Sequence, residues 1–135
     1  THTRDTLVLN GLATKMKWGT AFFVIAGLAS LGLPGLAGFA AELLVFIGAF
    51  RSEPILGAIG VLGAAITAVY ILRLIGRTFY GERDPKWDNL TDLTRREFIA
   101  ATILILPIFY VGLYPQPLLR VIRPGVDAVL AGLGV

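Results

Sequence analysis

Between Leu28 and Phe50 the chain reads LASLGLPGLAGFAAELLVFIGAF, and the one charged group in that run is Glu42, eight residues past a Leu33-Pro34-Gly35 break. A carboxyl can bind and release a proton, and holding one at bilayer depth costs about 2.5–3.5 kcal/mol. Ionisable groups kept there mark ion or proton pathways, or they pair with a neighbour. Two readings of Glu42 follow: a proton-relay site, or the structural partner of an arginine on a helix outside residues 1–135. Leu33, Pro34 and Gly35 join the candidate site because backbone groups freed by a break can hold water beside the carboxyl. Ser30, Thr67 and Tyr70 are weaker candidates to line such a path. The simpler reading of their hydroxyls is a bond to a backbone carbonyl or a neighbouring helix.

The elements that must carry these groups belong to a membrane protein. Hydrophobic residues make up 56% of the 135, against about 45–50% in soluble domains, and the mean hydropathy is +0.76. The net charge is +3, but the basic residues stand between apolar segments and form no patch for nucleic acid. With no cysteine and a single histidine, His2, the chain offers no thiolate chemistry and no metal site of its own. It starts at Thr1 without a charged and apolar leader, and is expected to be the C-terminal part of a longer polypeptide.

The pattern divides into a polar loop (1–17), a broken helix (18–50), a helix (54–80), a loop (81–96), a helix (97–115) and a tail (118–135). Trp18 suits the headgroup level. Arg51 to Glu53 make a polar turn, and Pro54 suits the first turn of the next helix. The glycines and alanines from Gly57 to Ala68 let neighbouring helices approach closely. Thr94-Arg-Arg-Glu97 has the form of a capping box, Pro107 is expected to kink the following helix, and Tyr114 to Pro117 to end it. The tail reads as a short interfacial helix or a segment packed on a partner.

Residues 19–50 are too many for one ordinary span and too few for two with a loop. If they form one broken span, loops 1–17 and 73–97 share a face with nine Lys and Arg, leaving only Arg51, Arg120 and Arg123 on the other; a hairpin divides them six and six. Basic residues collect on the cytoplasmic side, so the asymmetric arrangement is preferred. The fold expected is all-α and integral to the membrane: three transmembrane segments, the first discontinuous near Leu33-Pro34-Gly35, and a short tail helix. The N-terminal loop and the 81–96 loop are then cytoplasmic. Glu42, eight residues past Pro34, is expected about 12 Å along the second half helix.

HTRD (His2 to Asp5), GLATKMKW (11–18), the 28–50 run, AVYILRLIGRTFYG (68–81) and GLYPQPLL (112–119) together resemble the M-type antiporter-like subunit of proton-pumping NADH–quinone oxidoreductase, respiratory complex I. The likeness spans nearly the whole chain and corresponds to the C-terminal quarter of that subunit. It implies that the broken span is the family's discontinuous twelfth helix, and that Glu42 is its channel glutamate at the outer end of a relay whose other members lie upstream of Thr1. NADH, FMN, iron–sulfur clusters and quinone are expected in partner subunits and no cofactor in this chain. The expected partners are the other membrane subunits and the lipid bilayer, with protons as the transported species, in a bacterial inner membrane or equivalent. An Mrp-type Na⁺/H⁺ antiporter or a membrane hydrogenase-type complex is the alternative, and a purely structural three-helix module a third.

Overall fold

The computed structural model describes residues 9–82 and 84–134, which form five α-helices and two short 3₁₀ turns without a strand. The helices are α1 (Lys17–Ser30), α2 (Ala37–Ser52), α3 (Pro54–Tyr80), α4 (Arg95–Leu113) and α5 (Gln116–Leu133). The HTRD segment, with His2, and Arg83 lie outside the described residues.

Local chemistry explains where these helices start and stop. α2 continues through Arg51 and Ser52, and Glu53 alone separates it from Pro54 at the first position of α3. Thr94 and Glu97 form a reciprocal capping box: the Glu97 amide donates to Thr94 Oγ1 at 3.4 Å, and the Thr94 amide donates to Glu97 Oε2 at 2.8 Å. That cap places Arg95 and Arg96 inside the first turn, so α4 runs over Arg95–Leu113 instead of the 97–115 expected. Pro107 lies within it. Tyr114 ends α4, and the prolines that follow then start a further helix. Pro117 falls in the first turn of α5, where a missing N–H leaves nothing unpaired. The tail is therefore an 18-residue helix from Gln116, two residues earlier than the 118 expected.

Contacts along α3 fix the arrangement. At its start Gly57 and Gly60 sit against Phe50 and Phe46 of α2. Further on, Ile71 and Ile75 pack on Gly27 of α1, and Phe79 meets Phe23 with ring centroids 4.9 Å apart. The two short helices thus follow one another along a single long one. α4 runs beside α1, with Phe98 edge-on to Trp18 and Phe22 at 5.1 and 5.2 Å. Asn10 lies beside Gly81, and Lys15 pairs with Asp88 at 3.7 Å. Segments 10–18 and 81–98 therefore occupy one end of the molecule.

Little of this is buried. Leu12, Ala29, Leu36, Ile71, Ile75 and Phe79 form the core, while most large apolar side chains of α2, α3, α4 and α5 are exposed. A surface this apolar is made for lipid or for other helices. α3 and α4 are each long and apolar enough to cross a membrane. α1 and α2, with 14 and 16 residues, reach only about 21 and 24 Å, short of the roughly 30 Å hydrocarbon core.

Candidate functional site

The six residues between α1 and α2 form two successive turns. Leu33 N–H donates to the Leu28 carbonyl at 3.2 Å and Gly32 N–H to that of Ala29 at 3.3 Å. With Gly32 left-handed at φ 64°, these paired bonds make a Schellman ending for α1. Leu28 and Leu33, the apolar pair that accompanies such an ending, line one cavity of about 370 Å³ with Phe109 and Leu113 of α4. Leu36 N–H then donates back to Leu33 at 3.1 Å across Pro34 and Gly35, and Gly35 has φ 95°. Proline second and left-handed glycine third define a type II turn.

α2 opens from Leu36, whose backbone is extended; among the described residues no side chain caps its first N–H groups, of which that of Phe39 donates to the Leu36 carbonyl at 3.1 Å and those of Ala37 and Gly38 are left. Such groups look for water or a ligand. α4 closes the other side of the break. Gly112 is set directly against the Gly35 carbonyl and the Leu36 backbone, and any side chain there would overlap them.

Glu42 stands five residues into α2, about 7.5 Å from its start, because Pro34 to Leu36 are consumed by the turn. The carboxyl is therefore nearer the break than the 12 Å expected from counting past Pro34. Helical side chains lean toward the N-terminus, and this one reaches back to α1: a methyl built on Gly32 would collide with its Oε2. The residue is half-buried. It has no hydrogen bond and no ion-pair partner among the described residues.

Of the other candidates, Leu33, Pro34 and Gly35 build the break itself. Ser30 is the exposed last residue of α1. Thr67 donates its hydroxyl to the Gly63 carbonyl at 3.1 Å, and Tyr70 is 57% exposed on α3. None of the three hydrogen-bonds Glu42 among the described residues. No group of three or more His, Asp or Glu able to hold a metal stands among those residues.

Two participants, Gly112 and Asp92, escape the sequence reading. Gly112 shapes the break together with Gly32 of the Leu31-Gly32-Leu33-Pro34-Gly35 stretch. Asp92, in the segment before α4, accepts from the backbone N–H of Trp18 at 2.9 Å and of Gly19 at 3.1 Å, and so caps α1 from 74 residues away. Partial burial works against its charge, but donation from the Trp18, Leu93, Gly19 and Lys17 amides outweighs it and holds the carboxyl below its ordinary value.

Comparison with known proteins places this geometry in context. The model of the NADH:quinone oxidoreductase/Mrp antiporter transmembrane family matches residues 1–67. NAD(P)H-quinone oxidoreductase chain 4 1 of Synechococcus sp. (strain JA-3-3Ab) is 40% identical over 129 residues, covering 86% of this chain and 24% of that protein. NADH-quinone oxidoreductase subunit M of Rickettsia felis is 38% identical over 130 residues, covering 96% and 26%. Among solved structures, respiratory complex I from Thermus thermophilus with bound NADH contains a chain that superposes with a TM-score of 0.87 at 31% identity, over 95% of this chain and 27% of that one. The chain spans about a quarter of the length of the curated relatives it matches.

Proposed function

Because the chain belongs to the NADH:quinone oxidoreductase/Mrp antiporter membrane family, we propose that it is the C-terminal part of an M-type subunit that moves protons through a redox-driven NADH–quinone oxidoreductase. In this reading α1 and α2 are one discontinuous crossing, and α3 and α4 are the next two. The end holding residues 10–18 and 81–98 faces the cytoplasm, since it carries the larger share of Lys and Arg. The electron carriers and the quinone belong to partner subunits, and this chain supplies a proton path.

The observation that carries the reading is the Glu42 carboxyl, lodged against an interrupted helix with no cation beside it among the described residues. A carboxyl neutralised by an arginine would be a fixed structural charge. One left unpaired next to backbone groups that seek water can exchange a proton with a water chain. Glu42 takes a proton arriving through the membrane domain and gives it up toward the outer side. The uncapped N–H groups of α2 and the turn at Pro34 and Gly35 hold the waters that connect it.

Glu42→Gln keeps the shape and removes the proton site. In membrane vesicles of the assembled complex, NADH-driven proton uptake is expected to fall at least tenfold while the complex stays assembled. Pumping at the wild-type ratio of protons to electrons overturns the relay. Loss of Na⁺ tolerance with quinone reduction unchanged would instead mark Na⁺/H⁺ exchange, the other activity named for the family.

A further inference from the structure

The geometry points to Gly32 as the residue that positions the Glu42 carboxyl: its left-handed backbone and missing side chain leave the notch in which that carboxyl lies against the end of α1. Gly32 has φ 64°, as the Schellman ending requires, and that alone would favour glycine. Space adds a second and separate effect, taken up by the mobile end of the Glu42 side chain and not by the backbone. A Cβ on Gly32 would fall onto Glu42 Oε2 and within 2.8 Å of the carboxyl carbon. The carboxyl would have to move by more than about 1 Å to recover an ordinary contact of about 3.5 Å.

Gly35 separates the two effects. Its φ of 95° is also left-handed, yet a Cβ there would meet only Leu113 Cδ2, at 3.9 Å. A side chain at Gly35 strains the backbone and leaves the carboxyl alone, whereas one at Gly32 does both. The consequence for transport rests on Glu42 being a relay group. Proton transfer needs heavy atoms within about 2.6–3.2 Å or one bridging water, and a misplacement of about 1 Å can lower a rate on the order of 10²-fold.

The test compares Gly32→Ala with Gly35→Ala in the intact membrane complex. An apolar carbodiimide modifies protonated carboxyls, and the mass shift of the peptide carrying Glu42 is followed against pH. Gly32→Ala is expected to move the midpoint of that profile by at least half a pH unit and to lower the protons moved per electron tenfold or more. Gly35→Ala is expected to lower the amount of assembled complex and to move the midpoint less than Gly32→Ala does, since its side chain meets only Leu113. A Gly32→Ala midpoint equal to that of wild type, or moved no further than that of Gly35→Ala, overturns the proposal. The labelling profile depends on where the carboxyl sits and not on pumping, so Gly32 can be judged even if Glu42→Gln disproves the relay. Should Gly32→Ala not assemble, Gly32→Ala with Glu42→Ala decides. With the carboxyl gone, assembly returns to within twofold of Gly35→Ala, and a level as low as Gly32→Ala alone sinks the assignment.

Discussion

Helix starts at the 10–18 and 81–98 end of the molecule differ from the one at the break. α1 is capped by Asp92 from another segment, and α4 by the box of Thr94 and Glu97. Among the described residues α2 opens without a side-chain cap, beside a carboxyl with no partner. In water an uncapped start is cheap, because solvent supplies acceptors. At bilayer depth it is expensive unless water or protein reaches it. If α1 and α2 form one crossing, as proposed, the uncapped start is the one that solvent is least able to satisfy, in contrast to the capped starts at the other end.

The largest expected effect strikes the packing that closes the break. Gly112→Val would push a branched side chain into the Gly35 and Leu36 backbone. Overpacking of this kind costs about 3 kcal/mol, and the amount of assembled complex recovered from membranes should drop severalfold. Wild-type recovery would mean that α4 does not press on the break.

Asp92→Ala addresses the other side of the comparison. Losing a cap costs about 1 kcal/mol, and amide exchange at Trp18 and Gly19 should accelerate while proton movement continues. Because the folded state holds this carboxyl below its ordinary value, the cap is fully effective above about pH 4 and is lost as pH falls through the lowered value. Wild type and variant should therefore exchange alike under strongly acid conditions. A difference that persists there would assign the protection to something other than the carboxylate.

The smallest effect belongs to Thr67→Val. Its hydroxyl is already engaged by its own helix, so both stability, within about 0.5 kcal/mol, and pumping should be unchanged. A clear loss of pumping would extend the working region from the break into α3.

Features carried by neighbouring residues were readable in the sequence. Leu-Pro-Gly announces a turn, Thr-x-x-Glu a capped start, and Pro54 a first turn, because each signal lies within four residues of the structure it causes. Gly32 had a weaker local sign: a glycine two residues before a proline, after an apolar helix, is the usual mark of a left-handed ending. Its second role, leaving room for a carboxyl ten residues on, depends on how two helices meet. Asp92 left no sign at all, since its partners stand 73 and 74 positions away. Gly112 reads as one more small residue in an apolar helix until the break is seen beneath it.

The bonds of Asp92 also determine what can slide. α1 is moored through two amides to the segment between α3 and α4, so axial travel of α1 must first part them or drag that segment along. The start of α2 is held by close backbone packing instead, with Gly38 set against the Ala29 carbonyl and Gly112 against Leu36. Axial travel of α1 past α2 would therefore disturb the Asp92 bonds at one end and the Gly38 and Gly112 contacts at the other.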